Sequence, residues 1–170
     1  MDNKLYISWD ETSQDTKELV NLIRWKITNY KLENIYLLIP CRWWEIIWSL
    51  VKNSLWLHEK QVYRVKFSNL KYDTWEEKVI IKSEEDKSTF SDLQSEVFCD
   101  KEKLVIFIDD LVDSWHTLNH IKLIFQLNNI NLLSWVLYSK EGKNKHCVDL
   151  CVKDLEDKWI VFPWEEFYEK

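Results

Sequence analysis

Glycine is almost missing from this chain: 170 residues carry 1 Gly, and alanine does not occur at all. An ordinary domain with about 7% glycine would carry roughly a dozen. The scarcity excludes collagen-like, glycine-linker and low-complexity architectures. It also removes the residue that takes positive φ and lets backbones approach closely at low cost. Cysteine is sparse as well. Cys41, Cys99, Cys147 and Cys151 have no paired C-x-x-C spacing, which argues against a disulfide framework and fits a reduced, cytoplasmic protein. His146, Cys147 and Cys151 suggest a metal cluster, but V-D-L-C-V over 148–152 alternates as a strand does. No uncharged apolar run reaches membrane-spanning length, and the opening M-D-N-K lacks the apolar core of a signal peptide. Positive charge is the minority, with 23 Lys and Arg against 29 Asp and Glu and a net charge of −6. A sequence-independent nucleic-acid binder needs a basic face, so neither nucleic acid nor membrane is expected as a partner. A small anionic ligand needs only a local positive site.

What is present alternates between two patterns. Leu5 to Ser8 reads as a short strand, followed by a helix capped by Asp10 or Thr12 with Leu19, Leu22, Ile23 and Ile27 on one face. Ile35 to Ile39 is an apolar strand ending at Pro40, Glu45 to Leu57 a helix, and V-Y-R-V-K-F over 62–67 a strand. Residues 69 to 103 are the least regular, with an acidic cluster at Glu84-Glu85-Asp86. Leu104 to Ile108, Leu132 to Tyr138 and Val148 to Val152 complete the strands. Strands alternating with helices over one domain's length predict a single α/β domain with a mostly parallel sheet flanked by helices.

The segment Val105 to Thr117 reads V-I-F-I-D-D-L-V-D-S-W-H-T. A Val- and Ile-rich run is the signature of a strand buried on both faces. Acids at its carboxyl end fall where open α/β sheets bind ligands. The loop after them opens onto a helical pattern (Leu118, Ile121, Phe125), and loop amides with a helix N-terminus make an anion site. Two acids for sugar hydroxyls and a metal, beside a phosphate loop, form the layout a phosphorylated ribose needs.

This segment resembles the phosphoribosyl pyrophosphate motif of type I phosphoribosyltransferases, apolar residues followed by D/E-D-x-x-D-T-G-x-T. Lys158 to Glu166, K-W-I-V-F-P-W-E-E, is similar to the C-terminal element of the compact hypoxanthine and xanthine-guanine enzymes. Tyr6-Ile7-Ser8-Trp9-Asp10 also fits that group, and Pro40-Cys41-Arg42-Trp43-Trp44 looks like its pyrophosphate loop, normally A/S-R-G-G. The four segments occur in the family's order and span the chain.

The resemblance implies a central mostly parallel sheet with a small hood, residues 69–103 being the hood insertion that closes over the reaction. It implies a purine salvage enzyme that transfers phosphoribosyl from phosphoribosyl pyrophosphate to a 6-oxopurine, with Mg²⁺ as cofactor and a homo-oligomeric state, dimer or tetramer. Asp109 and Asp110 would bind the ribose hydroxyls and the metal. Asp113 would exchange the imidazole proton of the purine. Ser114, Trp115, His116 and Thr117 would surround the 5′-phosphate, with His116 at a variable position. Arg42 and Trp43 occupy the pyrophosphate loop, where a guanidinium suits fork-like phosphate pairing. Lys140 would donate to the purine 6-oxo group, Trp159 would stack on the base, and the Ile160 backbone would read its 2-position edge. Trp164 reads as core packing. The alternative on the same fold is a nucleotide-sensing protein without catalysis. A pyrimidine or orotate enzyme fits the phosphate motif but not K-W-I-V-F-P-W-E-E.

The departures from the family pattern share one form. Trp43 and Trp44 stand at two pyrophosphate-loop glycines, Trp115 at the phosphate-loop glycine, Trp48 and Trp56 at small-residue positions, and Trp75 at a turn glycine. With 11 Trp and 1 Gly, the pattern leads to the expectation that several tryptophans are glycines in the organism, encoded by UGA. Trp9, Trp159 and Trp164 match tryptophans of the family. Trp25 and Trp135 have no counterpart in the pattern.

Overall fold

The computed structural model describes residues 3–40, 45–71, 77–98, 100–112, 116–140 and 148–165. The first element is a three-residue strand, β1 (Lys4–Tyr6), and α1 (Trp9–Lys26) follows it. The cap of α1 is Ser8, not Asp10 or Thr12. Ser8 Oγ accepts from the Glu11 backbone, and the Glu11 carboxylate accepts from the Ser8 N–H at 2.9 Å, a reciprocal capping box. The Ser8 hydroxyl, donating to the same carboxylate at 2.7 Å, and then the Ser8 N–H hold the Glu11 carboxyl below its usual range.

The central sheet has five strands in the order β3-β2-β6-β7-β8, formed by Val62–Val65, Ile35–Pro40, Leu104–Val112, Asn131–Lys140 and Leu150–Leu155. Every neighbouring pair is parallel, as the alternation of elements predicts. Along β2 and through Ile108 of β6, alternate residues fall into two cores because successive side chains leave opposite faces. Leu37, Ile106 and Ile108 pack with Leu19 and Ile23 of α1 and with Ile47 and Val51 of α2 (Glu45–Leu55). Leu38, Val105 and Phe107 pack on the other face with Phe90 and Leu93 of α3 (Glu84–Val97) and Ile121 and Phe125 of α4 (His116–Leu127). Truncating a fully buried residue such as Leu37 or Ile106 to alanine costs roughly 2–5 kcal/mol in such cores.

Several boundaries differ from those the sequence predicts. The run 62–67 is divided at Lys66: β3 stays in the central sheet, while β4 (Phe67–Lys71) pairs antiparallel with β5 (Glu77–Ile81) in a separate two-stranded sheet. The stretch from 84 to 97, irregular to the eye, is α3. Ser83 caps it, and three acids in its first turn suit the positive end of the helix. Strand β6 runs on past Ile108 through both acids to Val112, because β7 is long enough to pair with it up to Val112↔Ser139. Strand β8 starts at Leu150 rather than Val148, and it contains Cys151. Helix α2 stops at Leu55, short of Leu57. Finally β9 (Trp159–Val161), which no alternation announces, pairs parallel with β1.

Candidate active site

The chain leaves β2 toward β3 on one side and returns to β6 on the other, so the strand order reverses between β2 and β6. In open parallel sheets the carboxyl ends at such a reversal border the ligand crevice. Pro40 ends β2 there, and Asp109 and Asp110 lie in the last four residues of the adjoining β6. Both acids are half-buried. The Asp110 N–H donates to Asp109 Oδ1 at 3.2 Å, which fixes one carboxylate against the backbone of the next. Helix α4 begins at His116, so Thr117, half-buried in its first turn, points the helix's N-terminal end at the same edge.

Of the other residues read from the motifs, Arg42, Trp43, Asp113, Ser114 and Trp115 lie outside the described residues, as does the side chain of His116. Asp109, Asp110 and Thr117 are brought to one edge by β6 and α4. Lys140 is the final residue of β7, the strand next to β6, so it reaches the same edge of the sheet. Its side chain is only 11% exposed, and its Nζ lies 3.8 Å from Asp157 Oδ1. That contact ties the turn between β8 and β9 to the end of β7, and Trp159 follows two residues after Asp157. Trp159 presents a 65% exposed indole, while Ile160 beside it is buried. An exposed ring on a strand held at Lys4 and Leu5 is a surface on which a flat ligand can stack.

A buried network supports this region, and the sequence reading missed it. Asp15, 1% exposed on α1, accepts from the Tyr138 hydroxyl at 2.7 Å. Lys153 of β8 pairs with its other oxygen at 2.6 Å, at an angle too oblique for a hydrogen bond. Burial pushes the Tyr138 phenol well above its usual range, and the Asp15 carboxylate adds to the shift. Tyr138 also packs on Phe162 (5.9 Å between centroids), Phe162 stacks on Trp164 (4.6 Å), and Trp164 meets Trp9 edge-on (6.0 Å). Trp164 is therefore core, as read from the sequence. The helical phase contained a signal for Asp15, since Thr12, Asp15, Thr16, Leu19 and Ile23 share the buried stripe of α1.

Among the described residues no group of three His, Cys, Asp or Glu side chains is arranged to hold a metal. The two acids of β6 nevertheless suit Mg²⁺, which is commonly held by one or two carboxylates together with substrate phosphates and water. No helix among the described residues is long and apolar enough to cross a membrane.

No family model matches the sequence, and no curated relative does. The architecture, by contrast, has clear neighbours. A hypothetical protein from Neisseria gonorrhoeae with bound ppGpp superposes with a TM-score of 0.71 at 19% identity, over 97% of this chain and 90% of its own. A purine phosphoribosyltransferase from Pyrococcus horikoshii gives 0.67 at 19% identity, over 95% and 93%. The Helicobacter pylori xanthine-guanine-hypoxanthine phosphoribosyltransferase gives 0.70 at 18% identity, over 98% and 96%. The fold is that of the type I phosphoribosyltransferases. Within it, this chain is similar from end to end to compact enzymes named for purines.

Proposed function

We propose that the protein is a purine salvage phosphoribosyltransferase, converting a 6-oxopurine and phosphoribosyl pyrophosphate into the nucleoside monophosphate and pyrophosphate. The observation that supports this reading is that Asp109 and Asp110 lie near the carboxyl end of β6 at the switch point, while Lys140 ends the adjacent parallel strand β7. Asp109 and Asp110 hold the ribose hydroxyls. Bound there with the donor, Mg²⁺ would neutralise charge on the leaving pyrophosphate. Arg42 contacts the same group, and Thr117 with the backbone amides of residues 113–116 takes the 5′-phosphate. The purine nitrogen forms its bond to the ribose C1 as the bond to pyrophosphate breaks, and Asp113 exchanges the imidazole proton. Lys140 donates to the 6-oxo oxygen. This selects oxopurines over adenine, whose amino group offers no acceptor.

In this reading Trp159 stacks on the base and the Ile160 backbone meets its 2-position. In this reading the 69–103 insertion is the hood, from which α3 packs on the central sheet and β4 pairs with β5 in a sheet of their own; its closure would exclude water from the reacting centre. The active form is a homo-oligomer. The test is turnover with hypoxanthine, guanine and xanthine under saturating donor and Mg²⁺, with the suspect tryptophans replaced by glycine. Formation of a monophosphate and pyrophosphate from at least one base is expected, and none from any of the three sinks the reading.

One observation favours a second reading, a guanine-nucleotide sensor without turnover: the Neisseria gonorrhoeae neighbour carries bound ppGpp. The two separate in one assay. A sensor binds ppGpp and leaves the donor unconsumed, whereas the enzyme releases pyrophosphate.

A further inference from the structure

Two helices of this protein end in the same way, on chemically unequal residues. At the end of α4 the N–H of Ile130 donates to the Phe125 carbonyl at 2.9 Å and that of Asn129 to Gln126 at 3.1 Å, with Asn129 at φ 52°. At the end of α2 the N–H of Leu57 donates to the Lys52 carbonyl at 3.1 Å and that of Trp56 to Asn53 at 3.2 Å, with Trp56 at φ 59°. This paired 6→1 and 5→2 pattern satisfies the last carbonyls of a helix and requires one left-handed residue just past the end. Asparagine tolerates that conformation, glycine takes it most readily, and a tryptophan opposes it through its Cβ. The indole offers little in return, being 84% exposed.

Trp135 shows the complementary defect. It is wholly buried in the middle of β7, between Ile108 of β6 and Leu150 of β8, yet its indole N–H has no hydrogen-bond partner. Buried tryptophans normally find an acceptor for that group. Neither problem affects Trp9 and Trp164, which pack on each other, or Trp159 in its strand pair with Lys4.

We propose that positions 56 and 135 are glycine in the organism that makes this protein, through a UGA codon read there as glycine. The local backbone carries the first assignment and the orphaned indole the second, and neither depends on which reaction the site performs. A reassigned codon is read the same way throughout a gene. The genuine tryptophans at 9, 159 and 164 must therefore be written UGG.

The gene and the native protein test this directly. UGA at 56 and 135 with UGG at 9, 159 and 164 is the expected pattern. UGG at 56 overturns the proposal, and UGG at 135 removes that position from it. In the native protein, the tryptic peptide spanning residues 53–60 should contain glycine, and that spanning 159–170 should keep both of its tryptophans. A native 53–60 peptide with the mass of the printed sequence also overturns the proposal. A recombinant test stands apart from the host. In the chain as printed, Trp56→Gly should raise the thermal midpoint above that of Trp56→Ala, which removes the indole but keeps the Cβ. An alanine variant as stable as the glycine variant would show that the left-handed residue carries no demand for glycine. These readouts are codon, mass and melting, so the assignment can fail or stand without regard to turnover.

Discussion

Tyr138 and Asp15 are joined by a 2.7 Å hydrogen bond in a site from which both side chains are almost excluded from water. They come from α1 and β7, far apart in the chain. The bond fastens the first helix to the strand that ends in Lys140, and Lys153 neutralises the carboxylate from β8.

Removal of the Asp15 carboxylate should therefore be among the costlier polar substitutions here. Asp15→Ala strands the Tyr138 hydroxyl and leaves Lys153, itself 46% exposed, without its partner. A loss of roughly 2–4 kcal/mol is expected from urea unfolding. Tyr138→Phe should cost about 1–2 kcal/mol, because Asp15 keeps Lys153. A change within 0.5 kcal/mol, about what a surface substitution gives, would mean the network contributes nothing net to folding.

The same pair sets an expectation at high pH. The Tyr138 phenol is raised by burial and by Asp15, so the unfolded chain loses that proton first. Its contribution is fully present below the ordinary tyrosine value of about 10 and is lost as pH rises beyond it. Alkaline difference absorbance should show one tyrosine ionising only with unfolding, and Tyr138→Phe should abolish that late step. Ionisation of all tyrosines before unfolding would contradict the burial.

Acid behaviour turns on Asp149. Burial pushes its carboxyl up, but hydrogen bonds from the Ser134 hydroxyl (2.6 Å) and N–H (2.8 Å) and the Lys122 ion pair outweigh this and lower it. A depressed carboxyl stabilises the fold above its unfolded value and loses that effect as pH falls through the folded one. Asp149→Asn should therefore flatten the acid limb of stability below about pH 4, with a modest effect at neutrality because the group is partly exposed. An unchanged acid limb would assign acid unfolding to other groups.

The central strands were legible in the sequence because burial on both faces leaves a continuous apolar run: Ile35 to Ile39 and Leu104 to Ile108 are apolar throughout, and each lies inside a strand of the central sheet. The positions of Asp109, Asp110 and Lys140 toward the carboxyl ends of β6 and β7 were legible from the apolar runs that precede them. What escaped was structure held by partners distant in sequence. Strand β9 exists by pairing with β1, and its three residues carry no period of their own. Helix α3 was hidden under its charges, since only Phe90, Leu93 and Val97 face the core. Asp157 gave no local sign, as its role is a contact to Lys140 across the sheet edge.

If Lys140 reads the base, its removal must divide the two substrates. Lys140→Ala is expected to raise the KM for the oxopurine by about 10- to 100-fold, the scale of a hydrogen bond to a charged group. Binding of the phosphoribosyl donor should change little. Asp109→Asn together with Asp110→Asn should do the reverse, weakening donor and Mg²⁺ binding by a similar factor. Equal losses of both substrates in the Lys140 variant would make the lysine structural, holding Asp157 and the β8–β9 turn in place.

Trp159 separates stacking from architecture most sharply, because its indole is 65% exposed while its neighbours Ile160 and Val161 are buried. An exposed ring contributes little to folding, so Trp159→Ala should leave the urea midpoint nearly unchanged. If the ring lies against the purine, the same change removes a flat contact surface and should weaken base binding by about tenfold, the upper end of what an aromatic pair adds. Trp159→Phe should recover most of that loss, since a smaller ring still stacks. The measurement is a base titration of the donor-loaded protein with each variant. Undiminished affinity in Trp159→Ala would take the base away from β9, and a large fall in stability would show that the ring is buried in an assembly instead.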